Sequence, residues 1–413
     1  MTGGFALPPI AERDLTIDPL ERSETIPSAW YTDPRFFEID KQSIFAKTWQ
    51  LIGHSGRLQK PGDFLIGTVA GNPVILVHGK DGSIRGFYNV CRHRGGPISI
   101  EEGGNCNALQ CKYHGWTYTL EGMLRGVPQF DRVELFDRKD YGLIPVPLDS
   151  WEGLYFVNLS GERSDDRGDL RTLLGGISER IRPVEPGAKH FYKRINYELN
   201  CNWKVYVDNY LEGYHLPYVH PELCNLLDYQ SYVTETFGYY SLQHSPLTGK
   251  SIYGSMKHPT GSSPTQSEPS GPSATGSSTG DPSSGTSDDG QAFYYFIFPN
   301  IMLNILPGRL QTNVVVPLAH DRTKVIFDYY YDDVDSPLAR RSIEEDISYS
   351  DRIQLEDAEI CEHVQRGLES VAYDRGRFSV EMEKGVYHFQ CLLKDAYGRA
   401  LAASKDSSPT KVR

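Results

Sequence analysis

The chain lacks the features that mark several special classes of protein. It has no long hydrophobic run: stretches such as Phe64–Val77 are interrupted by glycine and fall well short of a membrane span. No membrane partner is expected. Positive charge is also short, with 42 Lys and Arg against 54 Asp and Glu and a formal net charge of −12. Phosphate binding needs a basic face, so nucleic acid is excluded as the main partner. The opening residues, MTGGFALPPIAERDL, have no basic segment followed by an apolar core, so no signal peptide is expected. Seven cysteines, an odd number scattered along the chain, make no disulfide framework. A reducing, cytoplasmic setting is therefore expected, where clustered Cys and His mean metal or catalysis. Internal repeats are absent. So is a G-x-G-x-x-G fingerprint, which leaves nicotinamide and flavin chemistry to another protein. What remains is 413 residues, 39% hydrophobic and 23% charged, enough for two or three ordinary globular domains.

Residues 33–50 space Phe37, Ile39, Ile44, Phe45 and Trp49 as one helix would. From Leu51 to about Leu159, short alternating runs cut by "GN", "KDG" and "LEG" turns predict a small antiparallel β domain. After a polar stretch at 161–169, a mixed α and β region runs to the end. It holds a helical segment near 201–215, strands around 293–298, 301–306, 311–317 and 323–331, and a long terminal helix at about 337–370. Between 259 and 290, 26 of 32 residues are Gly, Ser, Pro or Thr. Such a segment cannot bury enough surface to offset chain entropy, and a disordered loop is expected, either lying over a mouth or inert.

Cys91-x-His93 is followed, after 17 intervening residues, by Cys111-x-x-His114. Each loop offers one thiolate and one imidazole. A [2Fe–2S] cluster with two Cys on one iron and two His on the other needs that division, and imidazoles raise its potential. The alternative is a Cys2His2 zinc site, but zinc fingers segregate Cys pairs from His pairs. The flanking sequences CRHRGGPIS and CKYHGWTYTLEG set glycines beside the ligands, where backbone amides can approach sulfide. These two loops closely resemble the Rieske motif of ring-hydroxylating oxygenase α subunits. Cys106, between the pairs, reads as a passive loop thiol.

A lone Rieske domain would be an electron carrier, but more than 200 residues follow. The segment NWKVYVDNYLEGYHLPYVHPEL carries His215 and His220. Five residues turn about 140° on an ideal helix, so the two do not share a face, unless Pro217 breaks the helix and lets them converge. Two structural histidines are the alternative. The segment resembles the family's pattern of an Asn-bearing helix leading to an acid, two residues, His, four residues and His. The resemblance implies a third, carboxylate ligand on a late helix, completing a 2-His-1-carboxylate triad. In DRIQLEDAEICEHVQRGLES, Ile353, Ile360, Val364 and Leu368 form one helical stripe, and Asp357 projects within it. An acid on an apolar face is costly unless paired or metal-bound. Asp357 also matches the family's "ED" position. Glu356 lies at the stripe's edge, while Glu359 and Glu362 read as solvated.

The resemblance covers most of the chain except 259–290 and implies an α+β fold. A small antiparallel β Rieske domain is joined to a helix-grip (START-like) catalytic domain with a central antiparallel sheet. The expected division is 1–45 (an N-terminal segment packing with the catalytic domain), 46–160 (Rieske) and 161–413 (catalytic). By resemblance the cofactors are a [2Fe–2S] cluster on Cys91, His93, Cys111 and His114, and a mononuclear Fe(II) on His215, His220 and Asp357. Glu212 stands where the family normally has an Asp that bridges His114 of the partner subunit to His215. Asp208 is its rival, open between a role supporting the metal ligands from behind and that of a solvated helix residue. The partners implied are O2 and a small-molecule substrate, a separate NAD(P)H-dependent flavin reductase with or without ferredoxin, and two further copies in a homotrimer. Glu at the bridge resembles the subgroup acting on quaternary ammonium compounds such as choline, glycine betaine or carnitine. Aromatic-acid dihydroxylation or demethylation is the runner-up, and a Rieske electron-transfer protein the non-enzymatic alternative. Asn209, Tyr295, Phe298 and Asn304 are candidate pocket residues. Aromatics such as Tyr294, Tyr295, Phe296 and Phe298 serve either as a cation cage or as sheet core.

Overall fold

Short apolar alternations joined by tight turns build the first module. In the computed structural model, which describes residues 8–161, 164–165, 168–182, 184–223, 231–247 and 290–406, Asp63–Val69 pairs antiparallel with Asn72–His78. Ala70 and Gly71 turn between them with φ of 50° and 78°, the two-residue geometry that matches strand twist. This hairpin lies inside a five-stranded sheet ordered Gly103–Asn105, Asp63–Val69, Asn72–His78, Ile84–Tyr88, Pro145–Val146. A three-stranded sheet joins Gln50–His54, Leu154–Val157 and Leu148–Trp151; another joins Leu109–Gln110, Thr117–Tyr118 and Leu124–Gly126. Ile75, Val77, Phe87, Leu109, Trp116 and Tyr118 form a core directly beneath Cys91 and Cys111.

A seven-stranded antiparallel sheet builds the second module, ordered His190–Leu199, Arg322–Tyr331, Arg309–Ala319, Ile301–Leu306, Gln291–Ile297, Tyr240–Pro246, Val233–Thr236. The four strands expected from the sequence are present, with ends shifted by about two residues at most. Strands His190–Leu199, Tyr240–Pro246 and Val233–Thr236 complete the sheet. Helix Trp203–Tyr210 packs against the long helix Pro337–Leu368 and against strand Arg309–Ala319. Ile26, Trp30, Phe36, Ile44 and Phe45 share the core of this sheet. Among the described residues no helix is long and apolar enough to cross a membrane.

Three expectations are corrected. The single helix over 33–50 is an α-helix, Pro34–Ile39, that widens into a π-helix, Asp40–Phe45. The wide turn carries the fully buried Asp40, which receives Trp203 Nε1–H at 2.8 Å, Tyr397 O–H at 2.5 Å and an ion pair from the equally buried Lys204. The long helix is not terminal: Lys384–Asp406 follows it. The helical segment near 201–215 is helical only over Trp203–Tyr210, and a separate one-turn helix spans Leu216–Val219. Part of the polar stretch 161–169, and the 259–290 segment except Gly290, lie outside the described residues.

Candidate metal centres and active-site cavity

The two Cys/His loops are built alike. Gly95 and Gly115 each follow the cysteine by four residues, take positive φ (72° and 73°) and donate N–H to Cys91 O and Cys111 O, both at 3.1 Å. Cys91 N–H returns to Gly96 O and Cys111 N–H to Trp116 O, both at 2.8 Å, while Lys112 N–H crosses to Pro97 O at 3.0 Å. Gly96 permits this approach, because a Cβ there would stand 3.0 Å from Cys111 Sγ and 2.8 Å from Tyr113 Cβ. Burial pushes the Cys91 thiol up, and the neighbouring Cys111 thiol raises it further. Tyr118 Oη and Cys91 Sγ share a hydrogen bond at 3.1 Å. The His93 and His114 rings lie 4.8 Å apart, and His93 stacks on Trp116 at 8°. His93 Nδ1 is buried without a hydrogen-bond partner. A buried imidazole nitrogen left unpaired beside a second imidazole and two thiols fits a metal cluster. His114 is exposed.

The second constellation forms where helix Trp203–Tyr210 ends. His215 and His220 cap the two ends of Leu216–Val219, so one turn brings their rings to 5.3 Å. Pro217 does not break a helix between them; it occupies the first turn of this short helix, where its missing N–H costs nothing. The break lies earlier, after Tyr210. Glu212 therefore meets His215 across a turn rather than along a helix face. Its Oε1 lies 2.7 Å from His215 Nδ1, and its Oε2 accepts the backbone N–H of His215 at 3.0 Å and that of Tyr214.

The long helix supplies the carboxylates. Asp357 Oδ1 lies 2.8 Å from His220 Nε2 and 3.7 Å from His215 Nε2. Glu356 Oε2 lies 2.6 Å from His220 Nδ1. Each imidazole thus has one nitrogen on an outer carboxylate and the other turned toward Asp357, the arrangement that holds a metal-binding histidine in one tautomer. His215, His220 and Asp357 place their ligand atoms within 4.8 Å of one another, and two imidazoles with one carboxylate fit a non-haem iron. Burial pulls His220 down, but Asp357 and Glu356 outweigh it and its pKa is raised.

The stripe that pointed to Asp357 is corrected. Val364 is 45% exposed, and the buried face runs through Ile343, Ile347, Gln354, Cys361 and Gln365. Gln354 and Gln365 tolerate burial because Tyr206 O–H (2.6 Å) and Asn202 N–H (2.9 Å) donate to them. Glu362 is not merely solvated; it accepts the backbone and side-chain N–H groups of Asn200. Asp208 is not a solvated helix residue either. Tyr31 O–H donates to it at 2.6 Å and Gln390 approaches at 3.5 Å, while burial pushes its carboxyl up to about 7.

A cavity opens over the triad. Asn209 and Asn304 line it, with Tyr206, Tyr210, Tyr232, Tyr294 and Phe327. Tyr295 and Phe298 do not. Both are 1% exposed: Tyr295 points to the opposite face of its strand, beside Tyr240, and Phe298 packs against Tyr239 and Phe389. Strand alternation explains this: Tyr294 and Asn304 are cross-strand partners on the cavity face. Gln311 and Asn313, which are not among the residues expected from the sequence, also line the cavity. The signal was polar alternation at 309, 311 and 313 on an interior strand.

Two metal centres, one suited to single-electron transfer and one with an open cavity beside a facial triad, define an oxygen-activating iron enzyme. The comparisons narrow it. Residues 48–137 match the Rieske [2Fe-2S] domain, and residues 187–399 match the ring hydroxylating alpha subunit (catalytic domain). The chain is 34% identical to the chloroplastic choline monooxygenase of Arabidopsis thaliana over 388 residues, 91% of this chain and 83% of the relative. It is 30% identical to the carnitine monooxygenase oxygenase subunit of Escherichia coli strain K12, covering 90% and 94%. The crystal structure of a quaternary ammonium Rieske monooxygenase with L-carnitine superposes with a TM-score of 0.76 at 25% identity, over 95% of this chain and 99% of that one. The chain belongs to the ring-hydroxylating Rieske oxygenase family. It is a terminal oxygenase carrying a [2Fe–2S] cluster and a mononuclear iron.

Proposed function

We propose that this oxygenase acts on a small quaternary ammonium or N-methyl compound, by monooxygenation of a C–H bond or C–N cleavage. The observation that carries the reading is the cavity lining. Five aromatic side chains and the carboxylates of Glu212 and Asp357 face it, and its described lining includes no Lys or Arg. Aromatic faces and anions attract a trimethylammonium group. An aromatic acid, the runner-up, brings a carboxylate that meets no Lys or Arg in that lining. The relatives named choline and carnitine monooxygenase support the same reading.

In this proposal Cys91, His93, Cys111 and His114 hold the cluster, and His215, His220 and Asp357 hold the iron. The cluster supplies single electrons and the iron supplies O2 binding and reduction. Glu212 orients His215 through Nδ1 and, with a lone pair to spare on Oε1, accepts a second imidazole from His114 of the partner subunit. Exposed apolar groups on the cluster module (Ile100 67%, Tyr113 56%, Met123 62%) and near the triad (Tyr218 81%, Leu355 56%) suit a closed head-to-tail ring, with three copies proposed. A separate NAD(P)H-dependent flavin reductase, with or without ferredoxin, supplies the electrons. The test is single turnover of the reduced protein with O2 against a panel of quaternary amines and a panel of aromatic acids. Product from the amines alone is expected; product from the acids alone overturns the substrate class.

A further inference from the structure

Strand Arg309–Ala319 turns Arg309, Gln311 and Asn313 to one face, because side chains two apart share a face of a sheet. All three are nearly fully buried, at 4%, 1% and 2% exposure. They form one hydrogen-bonded series. Arg309 Nη1 donates to Asp346 Oδ1 at 2.8 Å, and Arg309 Nη2 donates to Gln311 Oε1. Gln311 Nε2 then donates to Asn313 Oδ1 at 2.8 Å. Amide orientation is usually an open choice, but not here. A guanidinium can only donate, so the Gln311 oxygen must face it and the Gln311 NH2 must face outward. That NH2 can only donate, so the Asn313 oxygen must face it in turn. The end of the series is the Asn313 NH2, in the cavity that Asn313 lines together with Asp357.

We propose that Asn313 binds the substrate, donating its amide N–H to a neutral oxygen, a hydroxyl or carbonyl, at the end remote from the trimethylammonium group. The inference rests on the quaternary ammonium reading above and specifies its other half. A neutral acceptor is preferred over a carboxylate for two reasons. The charge of Arg309 is matched by the fully buried Asp346, which also receives Tyr331 O–H at 2.5 Å. The described lining of the cavity offers no Lys or Arg to pair with an anionic tail. Polarisation along the series strengthens the terminal donor without delivering a net positive charge.

The test is a competition in single turnover, with the cluster chemically reduced and O2 added to equimolar pairs of substrates. Choline carries the hydroxyl, propyltrimethylammonium replaces it with a methyl of similar size, and glycine betaine carries a carboxylate. Wild-type protein is expected to prefer choline over propyltrimethylammonium by about tenfold or more, the cost of leaving a buried donor unpaired. Asn313→Leu should bring that ratio close to one. Gln311→Glu with Asn313 intact turns the Asn313 NH2 away from the cavity and its Oδ1 inward, so a choline hydroxyl, which can also donate, should keep part of its preference, whereas acetonyltrimethylammonium, whose ketone only accepts, should lose its preference over propyltrimethylammonium. A ratio of products within one preparation does not depend on the fraction of folded enzyme, so weak expression of a variant leaves the result readable. An unchanged ratio in both variants, or a wild-type preference for glycine betaine over choline, overturns the assignment. Oxidation of none of these compounds removes the quaternary ammonium reading itself, and this inference with it.

Discussion

At the scale of single residues, the triad is organised by which nitrogen each carboxylate takes. Glu212 and Glu356 occupy the Nδ1 positions of His215 and His220, which leaves both Nε2 atoms for Asp357 and a metal. Asp357 has no substitute in that position, because Glu356 on the same helix already faces the other side of His220. Asp357→Ala is therefore expected to lose the mononuclear iron and all turnover while keeping the Rieske absorbance, as read by iron analysis and visible spectroscopy. Appreciable oxidation by that variant would show that another acid serves as ligand. Asp208 makes a different case. Its carboxyl is raised from 3.8 to about 7, chiefly by burial. A group protonated more readily when folded contributes stability that is complete below its unfolded value and is lost as pH rises through the folded one. The contribution of Asp208 to the melting temperature should accordingly fall as pH rises from about 4 to about 8. Asp208→Asn should flatten that slope and be the more stable form above about pH 7, by a few degrees. Equal slopes in the two proteins, followed by differential scanning fluorimetry, would show that Asp208 does not titrate in this window.

At the scale of elements, the sequence reveals what is strictly periodic or chemically unusual and conceals what depends on packing. The two metal-binding loops are legible because Cys and His in fixed spacing are rare and the glycines at Gly95 and Gly115 are required by positive φ. The four late strands are legible from apolar runs between turns. Strand His190–Leu199 is not, because it lies at the sheet edge and its side chains are mostly half-buried or exposed, so no alternation stands out. The last helix was there to be read: Val386, Phe389, Leu393, Ala396 and Tyr397 follow helical spacing and are all buried. It matters to the site. A Cβ at Gly385 would stand 2.3 Å from the carbonyl oxygen of Leu211, the residue before Glu212. Only glycine lets this helix press on the turn that carries Glu212. Gly385→Ala is expected to cost about 1–3 kcal/mol by overpacking and to slow reoxidation of the reduced cluster, with both metals still bound. Wild-type reoxidation kinetics in a destabilised variant would separate the helix from the site.

At the scale of the whole molecule, the two centres belong to different cores. The cysteine ligand candidates sit over Phe87, Leu109 and Trp116, whereas the triad opens into a cavity bounded by the seven-stranded sheet and the long helix. The proposed bridge through Glu212 runs from the cluster of one copy to the iron of another, a route that the exposed His114 and the apolar surfaces on both modules suit. Complementation tests this without knowledge of the substrate's fine chemistry. His93→Ala removes the cluster and leaves the iron; Asp357→Ala does the reverse. Each protein alone is inactive whatever the route. Co-expressed one to one in the proposed head-to-tail trimer, half the chains keep iron, and half of those face a neighbour that keeps its cluster. About a quarter of wild-type activity per chain is therefore expected from random closed rings. Electron transfer confined within each chain gives none, because no chain then holds both centres. Adding Glu212→Gln to the chain that keeps the iron should abolish the recovered activity, whereas adding it to the chain that keeps the cluster should leave it intact. Loss from the cluster-bearing chain instead would place the carboxylate on the other side of the boundary and overturn the proposed direction of the bridge.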